Sequence, residues 1–314
     1  MKALLIPAVN SATNLWIKVI KVMIPISVAV KLLEHFGLVR VLGDMLSPAM
    51  EFVGLPGIMG LVWALTMVAN LWSGALMYVV LSETAPLDAG QATVLGIMML
   101  MSHGLPLEVR MTQKCGVRFF FSLGLRLFSS FTLGFIFSRF FETFSILNEA
   151  AKIDLIGNSV VQGGIMSWCI EQLKTYAIVF ILLFLLITVL DFLKKNGLIH
   201  KMGRFLSPYL TMIGVTRKCA SITFVGMTLG LVYGSALLLE EVKQGDFDED
   251  DVILAVTSMN LSHSLIEDTF IVVIMGAALF WVLPVRFLWT VMIMQIIKFL
   301  IKLTNGKFMR LIKH

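Results

Sequence analysis

The sequence Ser-His-Gly-Leu-Pro-Leu-Glu at residues 102–108 recurs as Ser-His-Ser-Leu-Ile-Glu-Asp at residues 262–268. A second motif, Gly-Leu-x4-Gly-x2-Leu-Ser-Pro-x5-Gly, occupies residues 37–54 and 197–214, again 160 positions apart. Between these motifs the match continues without gaps. Self-similarity at one fixed offset is the mark of an internal repeat. We therefore expect that the chain contains two copies of one structural unit.

The composition indicates a membrane protein. Of the 314 residues, 58% are hydrophobic and 14% are charged, and the mean hydropathy is +0.91. A soluble domain is about one-quarter charged, so this chain is neither a soluble enzyme nor a disordered protein. Its apolar segments are long runs rather than alternating ten-residue segments, which excludes an outer-membrane barrel. The sequence therefore predicts an all-α polytopic protein with the lipid bilayer as its surroundings.

Runs with few charges predict the membrane segments of each unit. The predicted spanning helices are residues 15–33, 58–81 and 119–138 in the first unit and 175–190, 219–239 and 287–297 in the second. Residues 92–116 and 252–285 are predicted to be re-entrant helical hairpins, because their apolar runs are short and interrupted. Residues 38–53 and 198–213 are predicted to be interfacial helices, with the Ser-Pro pair of each suiting a helix start. The expected domains are repeats at 1–139 and 173–314 joined by a linker at 140–172.

Three spans per unit is an odd number, so the two repeats should be inverted relative to each other. Most loop lysines and arginines fall on one side if both termini are cytoplasmic, as the positive-inside rule requires. The net charge of +5 then reflects orientation in a bacterial inner membrane, and we expect no nucleic-acid partner. In this arrangement the acidic segment 240–251 lies on the outer face, opposite the C-terminus.

Polar residues inside the apolar runs are the candidate substrate-binding residues. Ionisable groups at membrane depth are costly and usually face a cavity or a partner. We expect the two hairpin tips to meet near the midplane and form one cavity. The candidates on the hairpins are Ser102, His103, Glu108, Asn260, Ser262, His263, Glu267 and Asp268. Those on the spanning helices are Asn70, Ser73 and Tyr233.

Each of these candidates also has a purely structural interpretation. A histidine at a helix end is often a cap or a satisfied core residue. Glu108 would then be an interfacial residue paired with Arg110 or Lys114. Gly74 and Gly234 would permit close helix packing. The sequence has no Walker loop, no HExxH and no other cofactor or metal-ligand spacing, so we expect no enzyme activity, no cofactor and no metal site.

With its Leu-Ser-Pro segments and the stretch 262–269, the repeated unit resembles the nucleoside recognition, or Gate, domain of bacterial membrane proteins. That domain also occurs in spore maturation proteins A and B and in the ferrous-iron transporter B protein. The unit is similar in plan to concentrative nucleoside transporters, which have inverted repeats and a substrate site between two hairpins. The resemblance places Glu108 and Glu267 or Asp268 at the substrate-contacting position. The present sequence lacks the Gln-Thr-Glu hairpin pattern of those transporters.

These expectations favour a secondary active transporter of a small polar or amphipathic solute, with a nucleoside as one candidate, coupled to H⁺ or Na⁺. Two alternatives stay open at this point. One is a non-transporting scaffold or gate that works with partner subunits, and the other is a lipid translocator. A homo-oligomer is compatible with each of them.

Overall fold

The fold is taken from a computed structural model. It describes residues 36, 38–82, 84–152, 165–196, 208–243 and 248–314, together with scattered positions between 13 and 32. The first predicted span at 15–33, residues 153–164 of the linker and residues 198–207 of the second interfacial segment therefore lie largely or wholly outside the described residues. Within the described part helices predominate, and no β-strand forms beyond two isolated bridges.

Thirteen helices have defined bounds within the described residues. In the first half they are α1 (Leu38–Phe52), α2 (Met59–Val68), α3 (Leu71–Ser82), α4 (Ala89–Ser102), α5 (Leu105–Lys114) and α6 (Phe119–Phe144). In the second half they are α7 (Ile165–Lys195), α8 (Arg217–Leu229), α9 (Leu231–Lys243), α10 (Glu249–Leu261), α11 (Glu267–Ile274), α12 (Leu279–Leu303) and α13 (Lys307–Ile312).

The segments predicted to span at 58–81 and 219–239 are instead helical hairpins, so this part of the prediction is wrong. Helices α2 and α3 pack against each other, as do α8 and α9. A Cβ added to Gly74 would lie 1.7 Å from Thr66 Oγ1, and one added to Gly234 would lie 2.4 Å from the Gly226 Cα. Residues eight apart in one straight helix are about 12 Å apart. Each arm is 10–13 residues, or about 15–20 Å, and so reaches roughly halfway through the hydrocarbon layer.

The segment predicted to be the first re-entrant hairpin is a discontinuous helix that continues in one direction, so this prediction is also wrong. Helix α6 runs antiparallel along both α5 and α4. Its Ser122 accepts a hydrogen bond from Thr112 of α5, at 2.8 Å. Further along α6, Ser130 donates to the main-chain carbonyl of Met98 in α4, at 3.0 Å. A hairpin would have brought α5 back beside α4. The sequence shows a helix break here, but a break does not specify the angle between the two pieces.

Residues 249–274 have the same arrangement, so the second predicted hairpin is corrected in the same way. Helices α10 and α11 follow one another, and α12 returns along both of them. Asp88 and Asp248, which are equivalent by the repeat offset, cap α4 and α10 with their side chains. Each described half thus contains a short hairpin, a discontinuous helix and a long returning helix.

Three segments are long and apolar enough to span a membrane among the described residues. They are Ala89–Lys114, which comprises α4 and α5, Phe119–Phe144 and Leu279–Leu303. Helix α1 confirms a helix in the first interfacial segment, but it begins at Leu38 and contains Pro48 in its interior. The expectation that Ser47-Pro48 starts this helix is therefore wrong, because residues 38–46 before this pair are already helical.

Contacts at the two ends of the bundle define two faces. At the C-terminal face, Val117 pairs with Lys313, and the Lys313 ammonium forms an ion pair with Glu249. At the linker face, the Ala89 amide donates to the Glu149 carbonyl at 2.8 Å, and Gly276 lies against Ala151. Segment 248–250 therefore shares the face of the C-terminus. The placement of the acidic segment opposite the C-terminus is wrong, because the hairpin α8–α9 returns to the side from which it starts.

The two discontinuous helices cross the bundle side by side in opposite directions. Near the linker face Gly96 of α4 lies against Val272 of α11. At the centre His103 meets His263. Near the C-terminal face Gly116, just after α5, lies close to Ile253 of α10. The breaks in both helices consequently fall at the same depth.

Candidate functional site

The central feature of the site is a direct contact between two buried histidines. His103 Nε2 and His263 Nε2 are 2.9 Å apart, and both residues are at most 5% exposed. His103 follows the last residue of α4, and His263 follows the end of α10 by two positions. The prediction that the two Ser-His segments meet is consistent with this geometry. They meet as breaks in crossing helices rather than as hairpin tips.

Two carboxylates complete the cluster. Glu108 Oε1 lies 3.3 Å from His103 Nε2 and 3.2 Å from His263 Nε2. Asp268 Oδ2 lies 3.3 Å from His103 Nε2. Glu108 is on the first turn of α5 and Asp268 on the first turn of α11, so each acid stands just beyond its own helix break. We call His103, His263, Glu108 and Asp268 the central cluster.

Hydrogen bonds on the far side of each imidazole determine its tautomer. His103 Nδ1 lies 3.1 Å from the Leu100 carbonyl oxygen, and His263 Nδ1 lies 2.9 Å from that of Met259. A carbonyl oxygen only accepts, so Nδ1 carries the hydrogen in each neutral ring and Nε2 presents a lone pair. Four acceptor atoms of the central cluster therefore converge on one small volume with no donor among them.

Two buried arginines support the cluster, and the sequence analysis did not identify them as site residues. Arg126 of α6 pairs with Glu108 Oε2 and donates from Nε to the Met101 carbonyl at 2.8 Å. Arg286 of α12 donates to the His263 carbonyl. Both side chains are fully buried. The two positions are 160 residues apart, which is the offset of the repeat, and this spacing was the signal available in the sequence. Both positions lie just beyond the matched block.

The structural alternative for Glu108 is contradicted. Its carboxylate bonds Arg126 rather than Arg110 or Lys114, while Arg110 bonds Gln113 at 2.7 Å on the surface. A carboxylate facing inward needs a buried cation, and Arg126 is on the helix that α5 packs against. Glu108 therefore belongs to the interior of the bundle.

The hairpins satisfy the backbone groups that the helix breaks leave free. The Gly104 amide donates to the Thr66 carbonyl near the tip of α2–α3, at 3.0 Å. The Leu265 amide donates to the Met227 carbonyl near the tip of α8–α9, at 2.9 Å. An amide buried without a partner would cost several kcal/mol at membrane depth. Each hairpin tip thus holds the break of its own half in place.

The remaining predicted residues stand around the cluster rather than in it. Ser102 accepts a hydrogen bond from Trp63 at 2.8 Å. Ser262 directly precedes His263, and its hydroxyl donates to the Ser258 carbonyl at 3.5 Å. Asn260 donates to Ser122 at 2.8 Å. Glu267 points away and accepts from Trp72 at 3.4 Å.

Residues predicted on the spanning helices have local roles where they are described. Asn70 Oδ1 accepts from the amide and the hydroxyl of Ser73, so it caps the start of α3 at the hairpin tip. The side chain of Tyr233 lies outside the described part of the chain. Gly74 and Gly234 permit the close approach of hairpin arms, which agrees with the packing interpretation of these glycines.

A separate cavity of about 310 Å³ opens at the linker face. Polar side chains of Asp88, Gln91, Arg139, Glu142 and Asn148 contribute to its wall. Gln91 precedes His103 by more than three helical turns, or about 18 Å along α4. The cavity and the central cluster are therefore distinct features.

Comparison with known proteins supports the assignment to membrane proteins. The chain is 24% identical over 277 residues to the uncharacterized membrane protein YvoD of Bacillus subtilis (strain 168), and the match covers 85% of each chain. No protein-family model matches the chain. No solved structure matches it either. The chain is thus similar to a bacterial membrane protein, while its resemblance to the Gate domain stays a prediction.

Proposed function

We propose that this protein is a secondary transporter that moves a small polar solute across a bacterial inner membrane in exchange for, or together with, a cation. The observation that carries this proposal is the convergence of His103, His263, Glu108 and Asp268 where two antiparallel discontinuous helices break. In many transporters the binding site is built from broken helices near the membrane midplane. Buried ionisable groups at that depth mark substrate or ion pathways.

The antiparallel course of the two discontinuous helices supports an inverted repeat. Asp88 and Asp248 cap equivalent helices at opposite ends of the bundle. Hairpin α2–α3 leads directly to the linker face, and hairpin α8–α9 leads to the C-terminal face. Each half of the bilayer then contains one hairpin whose tip touches the break beside the cluster.

This arrangement suggests how access alternates between the two sides. Withdrawal of α2–α3 would break its bond from the Gly104 amide and open the cluster towards the linker face. Withdrawal of α8–α9 would break the bond from the Leu265 amide and open the cluster towards the C-terminal face. Only one hairpin needs to move at a time, as alternating access requires.

The four converging atoms of the central cluster favour H⁺ over Na⁺ as the coupling ion. Two of the four converging atoms are imidazole nitrogens, whereas hard cations prefer all-oxygen sites. A proton shared between His103 and His263, or between either histidine and Glu108, would satisfy the 2.9–3.3 Å separations as hydrogen bonds. The nucleoside candidate has no feature of the cluster in its favour and remains one solute to test. With both termini cytoplasmic, the linker face is the outer one.

Transport can be tested in proteoliposomes with a pH-sensitive dye inside. Candidate nucleosides, amino acids and polyamines are added under an imposed proton gradient, with and without a protonophore. We expect gradient-dependent solute uptake by the wild type and none by the His103→Ala/His263→Ala double variant. His314→Ala is the matched control, because this histidine is exposed at the chain end and contacts Gly116 through its backbone.

Three results would decide against this function. Folded wild type without gradient-driven flux of any solute, while a partner protein co-purifies, favours the scaffold alternative. Movement of labelled lipid between leaflets favours the lipid translocator. Uptake that the double histidine variant retains in full would show that the central cluster takes no part.

A further inference from the structure

We propose that the central cluster is a binding site for a divalent transition-metal ion, with Zn²⁺ as the probe that fits it best. The metal ion would occupy the transporter's site in addition to the proton, and in that respect this inference rests on the proposed function. The ligand atoms are His103 Nε2, His263 Nε2, Glu108 Oε1 and Asp268 Oδ2. No stretch of the sequence shows metal-ligand spacing, because the ligands come from two segments 160 residues apart.

The lone pairs of the central cluster favour a bound cation. Both imidazoles donate from Nδ1 to main-chain carbonyls, so both Nε2 atoms point lone pairs at each other across 2.9 Å. Two facing lone pairs repel, and the nearby carboxylate oxygens add more negative charge. A positive charge among the four atoms, either a proton or a metal ion, makes this arrangement favourable, and only a metal ion can contact all four at once. Metal-bound histidines nearly always donate their other ring N–H to a carbonyl or carboxylate, as both do here.

One ligand atom of the central cluster has no hydrogen-bond partner. Asp268 Oδ2 accepts no hydrogen bond, although it is buried in a side chain that is only 9% exposed and cannot rely on solvent for a partner. A carboxylate oxygen without a partner is costly in the interior. It faces His103 Nε2, so it points into the cluster. An ion bound between these atoms would satisfy it.

The spacing of the ligand atoms is close to that of a zinc site. In a tetrahedral zinc site with bonds of about 2.0–2.1 Å, neighbouring ligand atoms are about 3.3 Å apart. The separations of His103 Nε2 from the Glu108 and Asp268 oxygens are both 3.3 Å, and that of His263 Nε2 from Glu108 Oε1 is 3.2 Å. The two Nε2 atoms are 2.9 Å apart and would separate by about 0.4 Å to hold the ion. The ligand atoms of His103, His263 and Asp268 all lie within 4.8 Å of one another. Two imidazoles and two carboxylates suit Zn²⁺, Mn²⁺ or Fe²⁺ better than Ca²⁺ or Mg²⁺.

The surrounding charges indicate that the ion is exchangeable cargo rather than a permanent structural ion. Arg126 already pairs with Glu108, and Arg286 lies on the other side of the cluster. The two guanidinium groups balance the two carboxylates of the cluster, and Glu267 next to Asp268 adds one further negative charge. Binding of a divalent ion therefore leaves excess positive charge in the interior, which weakens retention and favours release. A transported ion needs reversible binding of this kind.

The test is equilibrium dialysis of the purified full-length protein in detergent against Zn²⁺, followed by elemental analysis. We expect one Zn²⁺ per chain, with X-ray absorption spectra showing imidazole and oxygen ligands. His103→Ala, His263→Ala and Asp268→Asn should each weaken binding by at least about tenfold. His314→Ala and Glu249→Gln are the matched controls and should bind as the wild type does. Circular dichroism checks that each variant is folded.

Two outcomes overturn the metal site. If folded wild type binds no Zn²⁺, Mn²⁺ or Fe²⁺, the cluster is occupied by protons alone. If Zn²⁺ binds but His103→Ala and Asp268→Asn retain it, the ion is bound elsewhere. The two proposals can also fail separately. Proton-driven solute flux without metal binding would leave the transporter intact and remove this inference, whereas one bound Zn²⁺ without flux of any species would do the reverse.

Discussion

The two helix breaks carry the same Ser-His pair but are built differently. Between α4 and α5 the break is only His103 and Gly104, and the second adopts a left-handed conformation with φ of 57°. Between α10 and α11 the break is longer, from Ser262 to Ile266, and the left-handed residue is Ser264 with φ of 47°. Both breaks thus bring a histidine to the cluster, the first through a tight turn at glycine and the second through a longer turn at serine.

The acids that follow the two breaks also differ, in the number of groups that they contact. Glu108 is one methylene longer than Asp268, and it reaches both histidines and Arg126. Asp268 reaches His103 only, and its Oδ2 has no hydrogen-bond donor. Arg286, the equivalent of Arg126, bonds the His263 carbonyl instead of the acid. Glu108 is therefore held by two histidines and one arginine, whereas Asp268 has a single such neighbour, His103.

Removing the arginines should give the largest and most unequal effects. Arg126→Ala leaves Glu108 as a buried charge without its partner, which costs about 3–5 kcal/mol of unfolding free energy. Arg286→Ala leaves a buried carbonyl without its donor, which costs about 1–3 kcal/mol. Denaturant unfolding in detergent measures both.

Arg139→Ala provides the control for this pair of variants, because the Arg139–Glu142 pair is exposed and should contribute at most about 1 kcal/mol. Equal losses for Arg126→Ala and Arg286→Ala would show that the acids of the two halves are paired alike.

The close arms of the second hairpin should also be sensitive. Gly234→Ala places a methyl group 2.4 Å from the Gly226 Cα, and backbone cannot move aside as a flexible side chain would. We expect a loss of about 1–3 kcal/mol from overpacking. Gly124→Ala on α6 is the matched control, since a Cβ there meets nothing within 4 Å. It should be neutral or stabilising by up to about 1 kcal/mol. Similar melting temperatures for the two variants would contradict the hairpin.

Exchanging residues at the left-handed positions sharpens the comparison of the breaks. Gly104→Ala strains a backbone that favours glycine and should destabilise by about 1 kcal/mol, although the nearest atom to the new Cβ is 3.5 Å away. Ser264→Gly relieves the same strain and should stabilise by up to about 1 kcal/mol. Thermal unfolding should therefore shift in opposite directions. A shift in the same direction for both would show that backbone strain does not distinguish the breaks.

The smallest effect is expected at the C-terminal face. The hydrogen bond that Lys313 donates to Glu249 raises the pKa of the Lys313 ammonium. A raised lysine pKa means that the contribution is complete at neutral pH and disappears only in strongly alkaline solution. Because the pair is solvent-exposed, Lys313→Ala should leave the melting temperature almost unchanged at neutral pH. A drop as large as that of Gly234→Ala would mean that the C-terminus holds the bundle together.

The sequence predicted the helical membrane class and several of the residues at the centre. The repeat and the cost of ionisable groups at membrane depth together indicated His103, His263, Glu108 and Asp268, along with Glu267, which bonds Trp72 instead. Run length, by contrast, misassigned the hairpins. Residues 58–81 contain no charged residue, and the polar side chain of Asn70 does not by itself reveal that the chain reverses at Ala69 and Asn70.

Long-range pairing was the other part that the sequence did not predict. Arg126 looks like an isolated charge in a span, and Arg286 looks like a loop residue, until the packing of α6 and α12 brings them to the cluster. A buried arginine needs a partner, but the sequence does not say which acid lies within reach. Extending the repeat comparison past residue 116 would have paired these two positions.

Cysteine labelling from each side of the membrane tests the central claim most directly. Single cysteines at Asp88, Glu149, Asp248 and Lys313, in a chain otherwise without cysteine, are reacted with an impermeant maleimide in intact spheroplasts and in inverted vesicles. Two crossing, antiparallel discontinuous helices require positions 88 and 149 to label from one side and positions 248 and 313 from the other. Labelling of 88 and 248 from the same side, or of 248 and 313 from opposite sides, would contradict the architecture and with it the meeting of the two histidines.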